Sequence, residues 1–218
     1  MRKVIEGNKL YFFLFLIWVV TAAVLLTMYG RGYYVLLFAL ERSELLDDIA
    51  QIVTRLGEEL AFVVGLVILL FVRYRYALIL PLVGGSVFLL SFTLKRFFGH
   101  PRPKVLFWRQ IDSGGIILPD FYVNVGWNSF PSGHTMSAFA LYTFIALVLS
   151  NKQWGPFLFL IAFAVGLTRI MLTQHFLMDV LAGSILGVFI AITFYLIQDK
   201  RPIDPSKWYD QTLFSKRN

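Results

Sequence analysis

Nineteen consecutive residues without a charge, Leu10–Met28, restrict this chain more than any other feature. A bilayer core about 30 Å thick is crossed by roughly 20 apolar residues at 1.5 Å each. The same pattern returns at Tyr76–Leu94 and Val180–Gln198, and in shorter form at Leu60–Val72, Thr135–Ser150 and Trp154–Thr168. Composition agrees: of 218 residues 58% are apolar and only 15% charged, against about 25% charged in a soluble domain. The chain is therefore read as a single integral membrane domain, residues 1–218, with six spans. Leu10–Met28 exceeds the roughly 7–15 residues of a signal-peptide core and is expected to be retained. Span two is expected to begin near Arg55, with Glu58 and Glu59 solvated at its mouth, and Pro81 is expected to kink span three.

An even number of spans places both ends on one side. With that side cytoplasmic, eleven Lys and Arg lie inside and nine outside. Arg73 with Arg75, and Lys200 with Arg201, sit tightly at span ends and carry the positive-inside signal better than the totals do. The net charge of +7 then belongs to a basic membrane protein, and no nucleic-acid partner follows from it. The absence of Cys excludes disulfide scaffolds, thiol catalysis and thiolate metal sites.

Two outer segments are long. Gly30–Thr54 mixes apolar and acidic residues and reads as an interfacial helix. Lys95–Phe130 has no helical period, a pattern more often functional than idle. The tail from Asp199 reads as a short polar cytoplasmic end. Gly183 and Gly187, four apart, predict close helix packing. Trp108, Trp127 and Trp154 read as interfacial anchors, and His100 as a structural turn residue.

Chemistry gathers at the outer ends of spans three to six. Span three runs into Lys95 and, beyond it, Arg102-Pro103. Pro131-Ser132-Gly133-His134 opens span four. Arg169 ends span five, and His175 and Asp179 lead into span six. The orientation argument used none of these groupings, yet it puts them all on one face. Lys95, Arg102 and Arg169 would repel by about 4 kcal/mol per pair at 4 Å and an effective dielectric of 20. An anion with several oxygens relieves that repulsion, and Arg forks with a Lys point charge suit phosphate. Ser132 and Gly133 at a helix start add backbone N–H donors, with Gly133 permitting close approach.

His175 and Asp179 are four apart and share a helix face. The carboxylate can fix the imidazole tautomer and free the other nitrogen for attack. His134, on another helix, is placed to act as general acid. The residues thus read as a phosphohistidine route: His175 attacks phosphorus, His134 protonates the leaving oxygen, and water completes hydrolysis with His134 as base. Two imidazoles and one carboxylate among three cations would hold a divalent ion poorly, so no metal and no cofactor is expected.

Lys95-x6-Arg102-Pro103, Pro131-Ser132-Gly133-His134 and Arg169-x5-His175-x3-Asp179 resemble the three-part signature of the type 2 phosphatidic acid phosphatase superfamily. The signature core runs over residues 95–179. The resemblance implies an all-α bundle of six transmembrane helices with extracytoplasmic loops capping the active site. It implies His175 as nucleophile, Asp179 orienting it and His134 as acid, with Lys95, Arg102, Ser132, Gly133 and Arg169 binding phosphate without a metal. It also implies hydrolysis of a lipid phosphate or diphosphate (phosphatidate, phosphatidylglycerol phosphate, undecaprenyl diphosphate or lipid A phosphate) at the outer leaflet of a bacterial cytoplasmic membrane. Its partners would be the lipid substrate and the bilayer, with no obligate protein partner. Thr168 stands where the family usually has Ser. Transfer of phosphate to a lipid or sugar acceptor is the alternative reading. A phospholipid transporter fits less well, since the charges sit at one end rather than near the midplane.

Overall fold

The computed structural model describes residues 6–119 and 123–214, and no strand occurs among them. The helices are α1 (Lys9–Tyr29), α2 (Tyr33–Leu40), α3 (Glu44–Thr54), α4 (Glu59–Val72), α5 (Tyr74–Phe98), the short α6 (Pro103–Leu106) and α7 (Trp108–Asp112), α8 (Gly133–Val148), α9 (Trp154–Met171) and α10 (Leu177–Asp199). Every segment predicted to span is helical, apart from Leu149 and Ser150 at the end of the fourth. Four of these helices, α1, α5, α9 and α10, are long and apolar enough to cross a membrane. The other two, α4 and α8, have 14 and 16 residues.

The boundaries shift for local reasons. α5 continues through Pro81 as one helix of 25 residues and stops at Gly99, whose φ of 55° is left-handed. A residue without Cβ adopts that conformation at little cost and closes the helix. Lys95 thereby falls inside the last turn of α5, where a cation complements the helix dipole. The single interfacial helix expected over Gly30–Thr54 is two helices, α2 and α3, broken at Arg42 and Ser43. On α3 the buried residues are Ala50 and Thr54, one helical turn apart on the face turned to the bundle.

α8 forms the centre. From Thr135 to Val148 every residue but Ser137 is buried, and a helix apolar on all sides is one enclosed by protein. α10 lies against it through the predicted glycines. A Cβ on Gly183 would stand 2.6 Å from the Ser132 carbonyl oxygen, and one on Gly187 2.5 Å from that of Met136. Only glycine permits backbones this close. α1 is pinned from outside, Trp18 Nε1 donating to Ser184 Oγ at 2.9 Å. Large apolar side chains such as Phe13, Val63 and Phe88 remain exposed on the outer faces of α1, α4 and α5, as lipid contact requires.

The tail corrects an expectation. It folds back on the α4–α5 turn: Tyr74 N donates to Gln211 O and Leu213 N to Leu70 O, at 3.0 and 3.1 Å. Asp210, only 3% exposed, forms a buried ion pair with Arg75. The Arg cluster that signalled orientation therefore also clamps the end of the bundle remote from the site.

Candidate active site

Four helix termini meet at the opposite end: the last turns of α5 and α9 and the first turns of α8 and α10. Each of the eight predicted site residues lies there. Lys95 Nζ stands 3.4 Å from where a Cβ on Gly133 would be, so glycine lets the ammonium sit over the start of α8. The N–H groups of that first turn have no intrahelical acceptors. Ser132 is fully buried and its hydroxyl caps α8, 2.8 Å from Thr135 Oγ1. Its backbone N–H donates to Asp179 O at 3.0 Å, tying the start of α8 to that of α10. Of Ser132 and Gly133, then, one orders the helix start and the other opens it.

Asp179 is fully buried. Its Oδ2 accepts from Ser129 Oγ and from Phe176 N at 3.0 Å, and faces His175 Nδ1 at 3.4 Å. The Phe176 contact is an N3 carboxylate satisfying the residue before the helix, a local preference that builds the dyad as it caps α10. With Nδ1 engaged, Nε2 is the ring nitrogen of His175 that the dyad does not hold. Burial pushes the His175 imidazole down to about 3, opposed by the Asp179 contact and reinforced by Arg102 and Arg169. The ring is neutral at pH 7 and carries the lone pair a nucleophile needs.

The two guanidiniums are buried, 6% and 5% exposed. Arg102 donates through Nε to Asn128 Oδ1 at 2.7 Å and through Nη1 to Gln174 O at 3.1 Å. Arg169 donates through Nη1 to Thr54 Oγ1 at 2.8 Å, and its Nε has no acceptor among the described residues. Lys95 lies within electrostatic reach of both. Thr168 turns its hydroxyl into its own helix, donating to Val165 O at 2.7 Å, so the hydroxyl that replaces the usual Ser is spent on the backbone.

The loop carrying His175 is braced. Gln174 N and His175 N both donate to Arg169 O at 3.0 Å. Thr173 holds a left-handed φ of 56°, which for a β-branched residue costs on the order of 1–3 kcal/mol. Arg42 secures it, Nη2 reaching Thr173 Oγ1 at 2.8 Å while Nη1 grips both oxygens of Asp47 at 2.8 Å. The Arg42–Thr173 brace was not legible in the sequence, because it joins residues 131 positions apart.

Glu58 adds to an expectation. Read as solvated at the mouth of span two, its side chain is 39% exposed there and also places Oε1 3.3 Å from His134 Nε2. Glu59 is exposed as expected. His134 and Glu58 also stand between two cavities. One, about 680 Å³, is lined by Lys95, Gly133 and His134 at its upper end and descends between α4 and α5 past Phe92, Gly84 and Leu80. Fifteen residues separate Lys95 from Leu80, roughly 22 Å of helix at 1.5 Å each. The other, about 250 Å³, is polar, with Gln51, Arg55, Asn124 and Arg169 in its wall. Among the described residues no three His, Asp or Glu side chains converge as a metal site would require.

Comparison with known proteins agrees with this geometry. The chain is 34% identical over 153 residues to lipid phosphate phosphatase 2 of Arabidopsis thaliana, covering 57% of this chain and 52% of that protein. It thus spans about half the length of that relative. LpxE of Aquifex aeolicus is 31% identical with a TM-score of 0.57, covering 72% of this chain and 90% of that one. A phosphatidylglycerolphosphate phosphatase of PAP2 type from Bacillus subtilis superposes with a TM-score of 0.63 at 24% identity, over 90% of this chain and 97% of that one, a likeness of fold. The PAP2 superfamily model matches residues 75–203, the stretch that carries the cations, both histidines and Asp179, and the chain belongs to that superfamily.

Proposed function

We propose that this protein is a membrane phosphatase that hydrolyses a lipid phosphate or lipid diphosphate through a phosphohistidine on His175. The observation that carries the reading is a shared wall. His134, Gly133 and Lys95 close the upper end of an apolar groove and at the same time border the cationic site. A phosphate held by Lys95, Arg102, Arg169 and the first turn of α8 would therefore have its ester oxygen beside a channel suited to an apolar tail.

The steps follow from the placement of each group. His175 Nε2 attacks phosphorus, and the bond to the lipid oxygen breaks. That oxygen takes a proton from His134 and leaves as the alcohol. Water then attacks the phosphohistidine, giving a proton to His134, and inorganic phosphate departs with His175 restored. The cations hold the equatorial oxygens as charge redistributes, the main source of catalysis in phosphoryl transfer. They supply the charge that a metal ion supplies in other phosphatases, while two imidazoles and a carboxylate among them make a poor divalent site. We therefore assign a reaction without metal.

In the same reading α4 and α8 join the four longer helices as spans, making six. Both ends of the chain then face the cytoplasm, and α3, α6 and α7 cap the site on the periplasmic face of a bacterial cytoplasmic membrane. The substrate panel is phosphatidate, phosphatidylglycerol phosphate, undecaprenyl diphosphate and lipid A phosphate. Detergent-purified protein should release inorganic phosphate from at least one of these. Orthovanadate should block release and EDTA should not. Release restored only by added magnesium would overturn the metal-free assignment, and phosphate moved to an added alcohol without free phosphate would make the protein a transferase. No turnover of any panel lipid would refute the reading itself.

A further inference from the structure

We propose that Glu58 is the positioning carboxylate of the general acid, orienting the His134 ring through Nε2 and favouring its protonated form. The inference rests on the phosphatase reading for His134's role, and on independent geometry for Glu58. A general acid must hold a proton before the leaving oxygen develops charge. Burial is the largest influence against that, and the groups facing His134 add to it. They are Arg169 at the end of α9, His175 in the loop beyond it, Lys95 on α5 and Arg102 in the loop after α5. Against these, the Glu58 carboxylate lies 3.3 Å from Nε2.

Backbone packing fixes this contact. Glu58 sits at the N-cap of α4, directly after the tight turn Arg55–Gly57. A Cβ on Gly57 would fall 2.9 Å from the His134 carbonyl oxygen and 2.7 Å from Val165 Cγ1, so the turn rests on the backbone of α8 itself. Tyr142, two turns further along α8, donates its hydroxyl to Leu56 O at 2.9 Å. Glu58 is therefore carried to His134 by a turn anchored twice to the same helix. It also lines the polar cavity together with Gln51, Arg55 and Asn124, which keeps the pair next to water when the groove holds a lipid.

The proton count closes. Nε2–H stays with Glu58 throughout. The second ring nitrogen gives its proton to the lipid oxygen as the P–O bond breaks, and recovers one from the water that attacks the phosphohistidine. Glu58 keeps this hydrogen bond and stabilises the imidazolium at the start and end of the cycle, the role Asp179 plays in holding His175.

Glu58→Gln and Glu58→Asp, tested beside His134→Ala in the full chain, decide the matter. On dioleoyl phosphatidate, whose alkoxide needs a proton, Glu58→Gln should lower kcat by about 10- to 100-fold, part of the 10²–10⁴ a general acid contributes. On p-nitrophenyl phosphate, whose leaving group needs none, the burst of p-nitrophenol that marks phosphohistidine formation should slow by less than about threefold. The alkaline limb of kcat should move to lower pH, and Glu58→Asp should recover part of the loss. Equal losses on both substrates, or none on either, would overturn the proposal. His134→Ala as active as wild type would instead strike the phosphatase reading. Because the chain has three histidines, ¹⁵N-histidine NMR follows His134 directly whatever the activity. Its Nε2–H tautomer population should fall in Glu58→Gln, and an unchanged population refutes the role.

Discussion

Gly183→Ala tests whether the contact between α8 and α10 holds in register the two histidines proposed to be catalytic. The added Cβ would stand 2.6 Å from the Ser132 carbonyl oxygen, 3.2 Å from Thr135 Cβ and 3.3 Å from Met136 N. Ordinary contact begins near 3.4 Å, so the helices must part by about 0.8 Å, and the nearest obstacle is backbone with no rotamer to change. Overpacking of this kind costs about 1–3 kcal/mol. The displaced atoms adjoin the Ser132 N to Asp179 O bond of 3.0 Å, which couples Gly133 and His134 to the Asp179–His175 dyad. A shift approaching 1 Å in reacting groups costs on the order of 100-fold in rate. Gly187→Ala makes an equally short contact, 2.5 Å from Met136 O, but one turn (about 5.4 Å) further from the site. Thermal unfolding in detergent should register similar losses for both variants. Phosphate release should fall about 100-fold for Gly183→Ala and far less for Gly187→Ala. Wild-type kcat in a folded Gly183→Ala protein would refute the reasoning.

Other perturbations separate scaffold from chemistry. Asp210→Ala leaves the buried Arg75 guanidinium without its carboxylate and should cost about 3–5 kcal/mol in denaturant or thermal unfolding, with kcat of the folded protein retained. Arg42→Ala releases Thr173 and should lower kcat by about 10-fold or more through misplacement of His175, with little change in unfolding temperature. The depressed His175 value has a stability consequence. Below pH 6.5 the unfolded chain takes up a proton that the native ring refuses until about 3. Wild type should lose up to about 1.4 kcal/mol per pH unit from this group on acidification below 6.5, and His175→Asn should show a shallower loss between pH 7 and 5. Equal slopes would contradict a neutral buried imidazole.

What the sequence disclosed was what local pattern can encode. Uncharged runs located the long helices, since the bilayer imposes a length. Glycines four apart marked a closely packed face of α10, though not its partner, and the spacing of His175 and Asp179 located the dyad. The turn at Arg42 and Ser43 that splits α2 from α3 went unseen because the polar run Glu41-Arg42-Ser43-Glu44 holds no Gly or Pro and fits the polar face of one amphipathic helix equally well. Glu58 resembled a solvated mouth residue because its partner, His134, lies 76 positions away. The same distance problem hid Thr54 beneath Arg169, Ser129 beside Asp179 and Asp210 beneath Arg75. Each is a polar side chain whose role comes from tertiary contact, and periodicity carries no information about it.

Trapping the covalent intermediate tests the account most directly. The protein is mixed with a ³²P-labelled lipid phosphate that it turns over, quenched in alkali (where phosphohistidine survives) and mapped by mass spectrometry. Label should appear on His175 and should vanish in His175→Gln. Product formation with no labelled residue, or label persisting in His175→Gln, would contradict the mechanism.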